Sequence, residues 1–130
     1  MRRVPRGFTL IEVLIVITLV TILASVGLAT YTNSVRRSRE AVLREDLFRM
    51  RDAIDQYYAD KNKYPASLQD LVSEGYLRDI PKDPITDSAD TWQTENAEPD
   101  PANAAAAPGI FDVKSGSDEM AMDGSKYSDW

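Results

Sequence analysis

The stretch RGFTLIEVLIVITLVTILASVGLATY, residues 6 to 31, carries one carboxylate, Glu12, inside a run that after Arg6 is otherwise uncharged. Between Glu12 and Arg36 no residue is charged, a span of 23 positions, and about 20 apolar residues suffice for a helix to cross a bilayer. A soluble helix of that length would show a polar stripe. Here VLIVITLVTILASVGLA offers only scattered Thr and Ser, which can bond back to their own helix. A fully buried core helix is disfavoured because the rest of the chain is too short to enclose it. The run reads as a transmembrane helix. No A-x-A-like cleavage site follows it, so the sequence predicts that the apolar segment is retained.

At 130 residues the chain has room for one small domain beside this segment. It contains no cysteine and no histidine. A disulfide framework, a cysteine-ligated metal and the commonest general base are therefore excluded. The formal net charge of −6 hides a segregation: Arg2, Arg3 and Arg6 precede the apolar run, whereas from Asp83 onward only Lys114 and Lys126 are basic among many acids. Such a surface opposes nucleic-acid binding, which depends on neutralising phosphates. Arg36, Arg37 and Arg39 follow the span, so charge counting leaves its orientation open.

The string RGFTLIE joins basic residues ending in Gly7 to Phe8 and makes Glu12 the fifth residue from that junction. It resembles the N-terminal signal of type IV pilins and of the pseudopilins of type II secretion. In that family a prepilin peptidase cuts on the cytoplasmic side after the glycine and methylates the new terminus. The resemblance implies cleavage between Gly7 and Phe8, N-methylation of Phe8, and a role for Phe8 and Glu12 in assembly. It further implies a leader over 1–7, a transmembrane and filament-core helix over 8–35, and a periplasmic head over 36–130 that includes the amphipathic half of the helix. Loss of the three leader arginines moves the formal charge from −6 to −9.

A charge at the centre of a transmembrane helix costs about 2.5 to 3.5 kcal/mol, less near an end where the side chain can snorkel. Two readings of Glu12 offset that cost. In one, it reaches back to the headgroups and lies at the positive end of its helix dipole. In the other, implied by the resemblance, it pairs with the terminal amine of Phe8 on a neighbouring subunit and sets an axial register.

After Tyr31 the pattern turns amphipathic, with Leu43, Leu47, Met50, Ile54 and Tyr57 spaced four, three, four and three. Arg36, Arg39, Glu40, Arg44, Glu45, Arg49 and Arg51 read as a solvated face with near-neighbour ion pairs, although a basic amphipathic helix can also lie on a membrane. No proline interrupts residues 8 to 62, which predicts one helix of about 55 residues, roughly 80 Å long. Ala29 stands where many members of the family carry a kinking proline. The helix should end near Asn62, before Tyr64-Pro65. Ser67 then caps a short helix over SLQDLV, with Asp70 in a capping-box position, and Gly75 stops it. YLRDIPKDPITD, with Pro81 and Pro84, reads as an irregular extended connection. YPASLQDLV and YLRDIPKDP resemble loops of the major pseudopilin subclass, and the resemblance covers residues 6 to about 85.

DTWQTEN and GIFDVKS each hold a candidate strand, separated by the linker AEPDPANAAAAP. A two- or three-stranded antiparallel sheet on the helix is expected, with Trp92, Ile110, Phe111 and Val113 as apolar contributors. SGSDEMAMDGSKYSDW gathers oxygen side chains around Asp118, Asp123, Ser125 and Asp129, with Gly116 and Gly124 allowing tight turns. Hard oxygen donors on a loop suit calcium. Major pseudopilins bind calcium in a C-terminal loop that DVKSGSD resembles, which implies Asp118 and Asp123 as candidate ligands, with Gly116 or Ser117 as carbonyl donors. The alternative is an acidic, solvated tail whose Asp, Ser and Gly favour turns. Tyr127 and Trp130 are expected to dock this tail against the sheet.

The expected fold class is α+β and pilin-like. The resemblance implies a structural subunit, most similar to the major pseudopilin, that polymerises into the pseudopilus of type II secretion. The implied setting is the bacterial inner membrane, crossed once, with the N-terminus cytoplasmic before processing. Its implied partners are copies of itself, prepilin peptidase, the secretion assembly platform and minor pseudopilins. A pilin of a type IV pilus is the alternative, disfavoured by the missing disulfide loop. An enzyme lacks support, since no nucleophile-base pair, phosphate-cradling loop or zinc spacing is present and an Asp118–Asp123 pair in an acidic tail is weak grounds for a hydrolase.

Overall fold

The computed structural model describes residues 4, 6–99, 101–102 and 108–130. The leader arginines Arg2 and Arg3 and part of the small-residue linker lie outside the described residues. Four elements follow in chain order: α1 (Leu10–Lys61), α2 (Leu68–Ser73), β1 (Gln93–Asn96) and β2 (Ile110–Lys114), with a 3-10 turn at Tyr127–Asp129. The architecture is α+β, as the sequence predicts. The chain divides into two units, Met1–Arg36 and Arg37–Trp130.

In the first unit the described apolar residues of α1 are exposed on every side of the helix. Ile15, Val20, Leu23 and Leu28 are each more than half exposed. Its hydroxyls turn inward onto the helix: Thr18 donates to the Leu14 carbonyl at 2.7 Å, Thr21 to Ile17 at 2.8 Å, Ser25 to Thr21 at 2.8 Å and Thr30 to Val26 at 3.0 Å. No hydroxyl of that set then demands water, which is what a hydrocarbon setting requires. The helix is long and apolar enough to cross a membrane.

In the second unit the expected stripe is the core. Leu43, Leu47, Met50, Ile54 and Tyr57 are all buried. They divide between two clusters. Leu43, Leu47 and Met50 pack with Trp92, Val113, Ala121 and Tyr127, while Ile54 and Tyr57 pack with Ala53, Leu71 and Ile110. Burying a side chain of this size contributes about 1.5 to 3 kcal/mol, so the stripe is the main force docking the remaining elements on α1.

The helix ends where the sequence places it. Asn62 takes a left-handed φ of 54° and its N–H donates to the Tyr58 carbonyl at 2.8 Å. Asp70 Oδ2 accepts from the Ser67 N–H at 3.3 Å, the reach-back half of a capping box at the start of α2. At the other end Gly75, with φ of 83°, donates to the Val72 carbonyl while Tyr76 donates to Leu71, a Schellman closure that only a residue without Cβ strain adopts easily. The Tyr76 hydroxyl donates to Asp60 at 2.7 Å, tying the end of α2 to α1 and pushing the phenol up to about 12.

β1 and β2 pair antiparallel, with Glu95 opposite Asp112 and Asn96 opposite Ile110. Phe111 falls in the irregularity between those pairs. Ile110 and Val113, three apart, therefore both face the core, while Phe111 is 44% exposed and meets Tyr64 edge-on instead of contributing to the core as expected. The connection after α2 also departs from expectation. It is a closed turn rather than an extended segment, because Asp83 and Ser88 form a bridge and the Asp87 N–H donates to the Asp83 carbonyl at 2.7 Å. The Pro81 carbonyl accepts from the Trp92 indole at 2.7 Å.

Asp83 organises this turn from a fully buried position. Its Oδ1 accepts from the Ile85 N–H at 2.9 Å and the Thr86 N–H at 3.4 Å, and its Oδ2 accepts from the Ser115 hydroxyl. Asp46 on α1 lies near enough to feel that charge. Burial, then repulsion from Asp83 and Glu45, raises the Asp46 carboxyl above its ordinary value, against the opposing pull of Arg49. A carboxyl raised on folding binds its proton more tightly in the folded state, so its ionisation weakens the fold above the folded pKa and ceases to matter as pH falls. Asp46→Asn should therefore raise the melting temperature near neutral pH. The gain should vanish below about pH 3, where both forms are neutral, and thermal unfolding of the full chain in detergent at the two pH values checks it.

Candidate functional site

Two regions were singled out by sequence. At the first, Phe8 is 81% exposed, and Leu10 and Ile11 beside it are similarly bare. Thr9 immediately precedes α1, and its hydroxyl accepts from the Glu12 N–H at 3.1 Å while its carbonyl accepts from the Val13 N–H at 3.1 Å. Thr9 thus caps the helix. Glu12 falls in the first turn, where the unpaired N–H groups favour an anion. Thr9 lies outside the residues expected from sequence, although T-x-x-E ahead of an apolar run is a capping signal.

This placement shows how the chain tolerates a carboxylate there. Glu12 is exposed among the described residues. It sits at an end of the apolar segment, where the charge is cheapest. Gly7 is equally informative: a Cβ built on it would meet nothing within 4 Å. The fold does not require glycine at the junction.

The C-terminal region is ordered differently from the expectation. Asp118 is exposed. Asp123 Oδ1 accepts both the N–H and the hydroxyl of Ser125, at 2.9 and 2.6 Å, and the Arg44 guanidinium lies 3.9 Å from Oδ2. These contacts, the Ser125 bonds foremost, hold the Asp123 carboxyl below its ordinary value. Among the described residues no group of three or more acidic side chains gathers that could hold a metal ion, and no buried side-chain oxygen or nitrogen lacks a partner. Calcium takes six to eight oxygens. Two carboxylates, one exposed and the other committed to Ser125 and facing a guanidinium, do not fit that ion as they are arranged.

Of the residues expected on a solvated face, Arg44 is exposed as expected, whereas Glu40 and Arg51 are partly buried. The Glu40 carboxylate accepts from the Met122 N–H and the Tyr127 hydroxyl, both at 2.8 Å. Arg51 is partly buried and donates to Asp112 at 2.7 Å, to the Val113 carbonyl at 3.0 Å and to the Trp130 main-chain oxygen at 2.8 Å. The helical spacing that puts these residues beside Leu43 and Leu47 places them at the margin of the buried stripe, where long side chains reach over its edge. Tyr127 docks as expected, though into the α1 cluster as well as beside Val113.

Comparison with known proteins adds to this geometry. Residues 2–28 match the family model described as the prokaryotic N-terminal methylation motif. The chain is 32% identical over 95 residues to the type II secretion system core protein G of Klebsiella pneumoniae, covering 61% of this chain and 68% of that protein. It is 28% identical over 95 residues to the core protein G of Pectobacterium carotovorum, covering 61% of each. A fimbrial protein of Eikenella corrodens, EcpC, is 38% identical over 66 residues, covering 51% of this chain and 43% of that one. The chain thus spans less than two thirds of the length of some of these relatives. No solved structure matches it. Because the fold leaves Gly7 unhindered, Gly7→Ala should leave thermal unfolding of the head unchanged within about 1 °C, followed by circular dichroism of the full chain in detergent.

Proposed function

We propose, because this chain belongs to the type II secretion system core protein G family, that its copies polymerise into a periplasmic pseudopilus serving type II protein secretion. The observation that carries this reading is the uncovered apolar half of α1, directly behind an open Gly7–Phe8 junction. So much exposed hydrocarbon needs lipid before assembly and sister helices after it. The chain is anchored in the inner membrane with its head in the periplasm. Prepilin peptidase removes residues 1–7 and methylates Phe8. The subunit performs no covalent chemistry of its own, and its addition to the filament is driven by the secretion assembly platform, with minor pseudopilins as further partners.

Glu12 supplies the register. In the lone subunit its charge rests on the first turn of α1. In the filament it faces the methylated amine of Phe8 on the adjoining copy, an opposite charge at low dielectric, which rewards correct axial stacking and penalises slippage. The likeness to a fimbrial protein favours one second reading, a subunit of a surface type IV pilus. Fibre position separates the two: short fibres confined to the periplasm support the secretion reading, long surface fibres the other.

Mass spectrometry of the polymerised protein should show a chain beginning at a singly methylated Phe8. Glu12→Ala should still be inserted and processed, yet its fibre yield should fall at least about tenfold, since removing one partner of a buried charge pair costs a few kcal/mol. Sheared-fibre assays beside immunoblots of processed protein check this. Normal fibre yield from Glu12→Ala would overturn the axial pairing.

A further inference from the structure

The segment from Asp112 to Trp130 is held by contacts that run in two directions. From below, Glu40, Arg44 and Arg51 rise from α1 on one side of the helix, the first two a single turn apart. Glu40 holds Met122 and Tyr127, and Arg51 holds Asp112, Val113 and Trp130. Arg44 lies with its guanidinium carbon 4.4 Å from the centre of the Trp130 ring and faces Asp123. From within, a line of hydroxyl bonds crosses the segment. The Ser117 N–H donates to the Ser115 hydroxyl, the Glu119 N–H to the Ser117 hydroxyl, and the Trp130 indole to the Ser125 hydroxyl, which itself donates to Asp123.

We propose that Glu40, Arg44 and Arg51 of α1 hold residues 112–130 in their folded position without a bound metal ion. A cation is already supplied to this segment by the chain itself. Arg51 places a guanidinium where it neutralises Asp112 and satisfies two main-chain oxygens at once, a task suited to its planar fork of donors. Arg44 brings a second guanidinium against Asp123, the carboxylate that a metal would need, and fixes its own plane on the Trp130 ring. Glu40 serves the opposite sign, accepting from the Met122 N–H and from the hydroxyl of the buried Tyr127.

The three contribute unequally. The Arg44–Asp123 pair is open to solvent on both sides, so its strength is small and screened by salt. Arg51 and Glu40 make shorter bonds, Arg51 from a partly buried position, and all five of their partners lie more than 60 residues away in sequence. Losing either frees a main-chain group or a buried hydroxyl as well as a charge, which is the expensive way to break such contacts.

Limited proteolysis of the full chain in detergent tests the proposal, with chymotrypsin reporting cleavage in the segment 120–130 and with either calcium chloride or EDTA present. Cleavage rate and melting temperature of the unaltered chain should be the same in calcium and in EDTA. Glu40→Gln and Arg51→Gln should each speed cleavage of that segment about tenfold or more, equally in both solutions, with Arg44→Leu speeding it less. Calcium-dependent protection of the unaltered chain that disappears in Asp118→Asn plus Asp123→Asn would overturn the proposal. So would unchanged cleavage in both Glu40→Gln and Arg51→Gln. The calcium comparison needs no variant, so a substitution that unfolds the head does not remove the test.

Discussion

One helix has to satisfy two surroundings, and most of the structure follows from where it changes between them. From Val13 to Tyr31, α1 is apolar all round and bonds its hydroxyls to its own backbone. From Leu43 onward the apolar residues narrow to one stripe, and α2, β2 and the Tyr127–Asp129 turn each supply a residue to the clusters built on it. A two-stranded sheet and a single-turn helix have too little surface to form a core alone. Laid on α1 they enclose Leu47, Met50 and Ile54, so the helix acts as the floor of a core it could not close by itself.

Charge is handled by the same economy. Acidic residues outnumber basic ones, yet the arginines that exist are concentrated between Arg36 and Arg51 on the helix, next to where the acidic later segment returns. The attraction is thus intramolecular and arranged across long sequence separations. Asp83 is held by other means. Among the described residues no basic side chain is paired with it, and two main-chain N–H groups and Ser115 fill its buried carboxylate instead. A carboxylate can be kept in such a place when its acceptor capacity is filled.

Periodicity made the helix legible: the spacing of Leu43, Leu47, Met50, Ile54 and Tyr57 named the core face, and Asn62, Ser67 and Gly75 named boundaries that hold in the structure. These are local signals with local physical causes. What escaped were contacts between segments remote in sequence. Nothing in the word PKDP says that its aspartate will meet a serine 32 positions later, and a charged residue at a stripe's margin looks identical whether it faces water or a returning loop. Phe111 was misplaced for a related reason. Strand alternation assumes an unbroken ladder, and the irregularity opposite Glu95 and Asn96 lies in pairing, which one strand's sequence does not reveal. At the amino-terminal site the residues were legible individually, while the Thr9 cap went unnoticed because Gly7 and Glu12 drew the attention of the motif.

The ties from Arg51 to Asp112 and Trp130 span 61 and 79 positions. Contacts of that separation form late, since the intervening chain must first be brought round and its loop entropy lost. During synthesis α1 can become helical early, but its apolar stripe stays uncapped until the segment carrying Val113 and Tyr127 has been made. The head therefore closes late, once its last segment has returned to α1. A chain of this kind stays open and pliable for as long as that segment is missing, and becomes compact only when it docks.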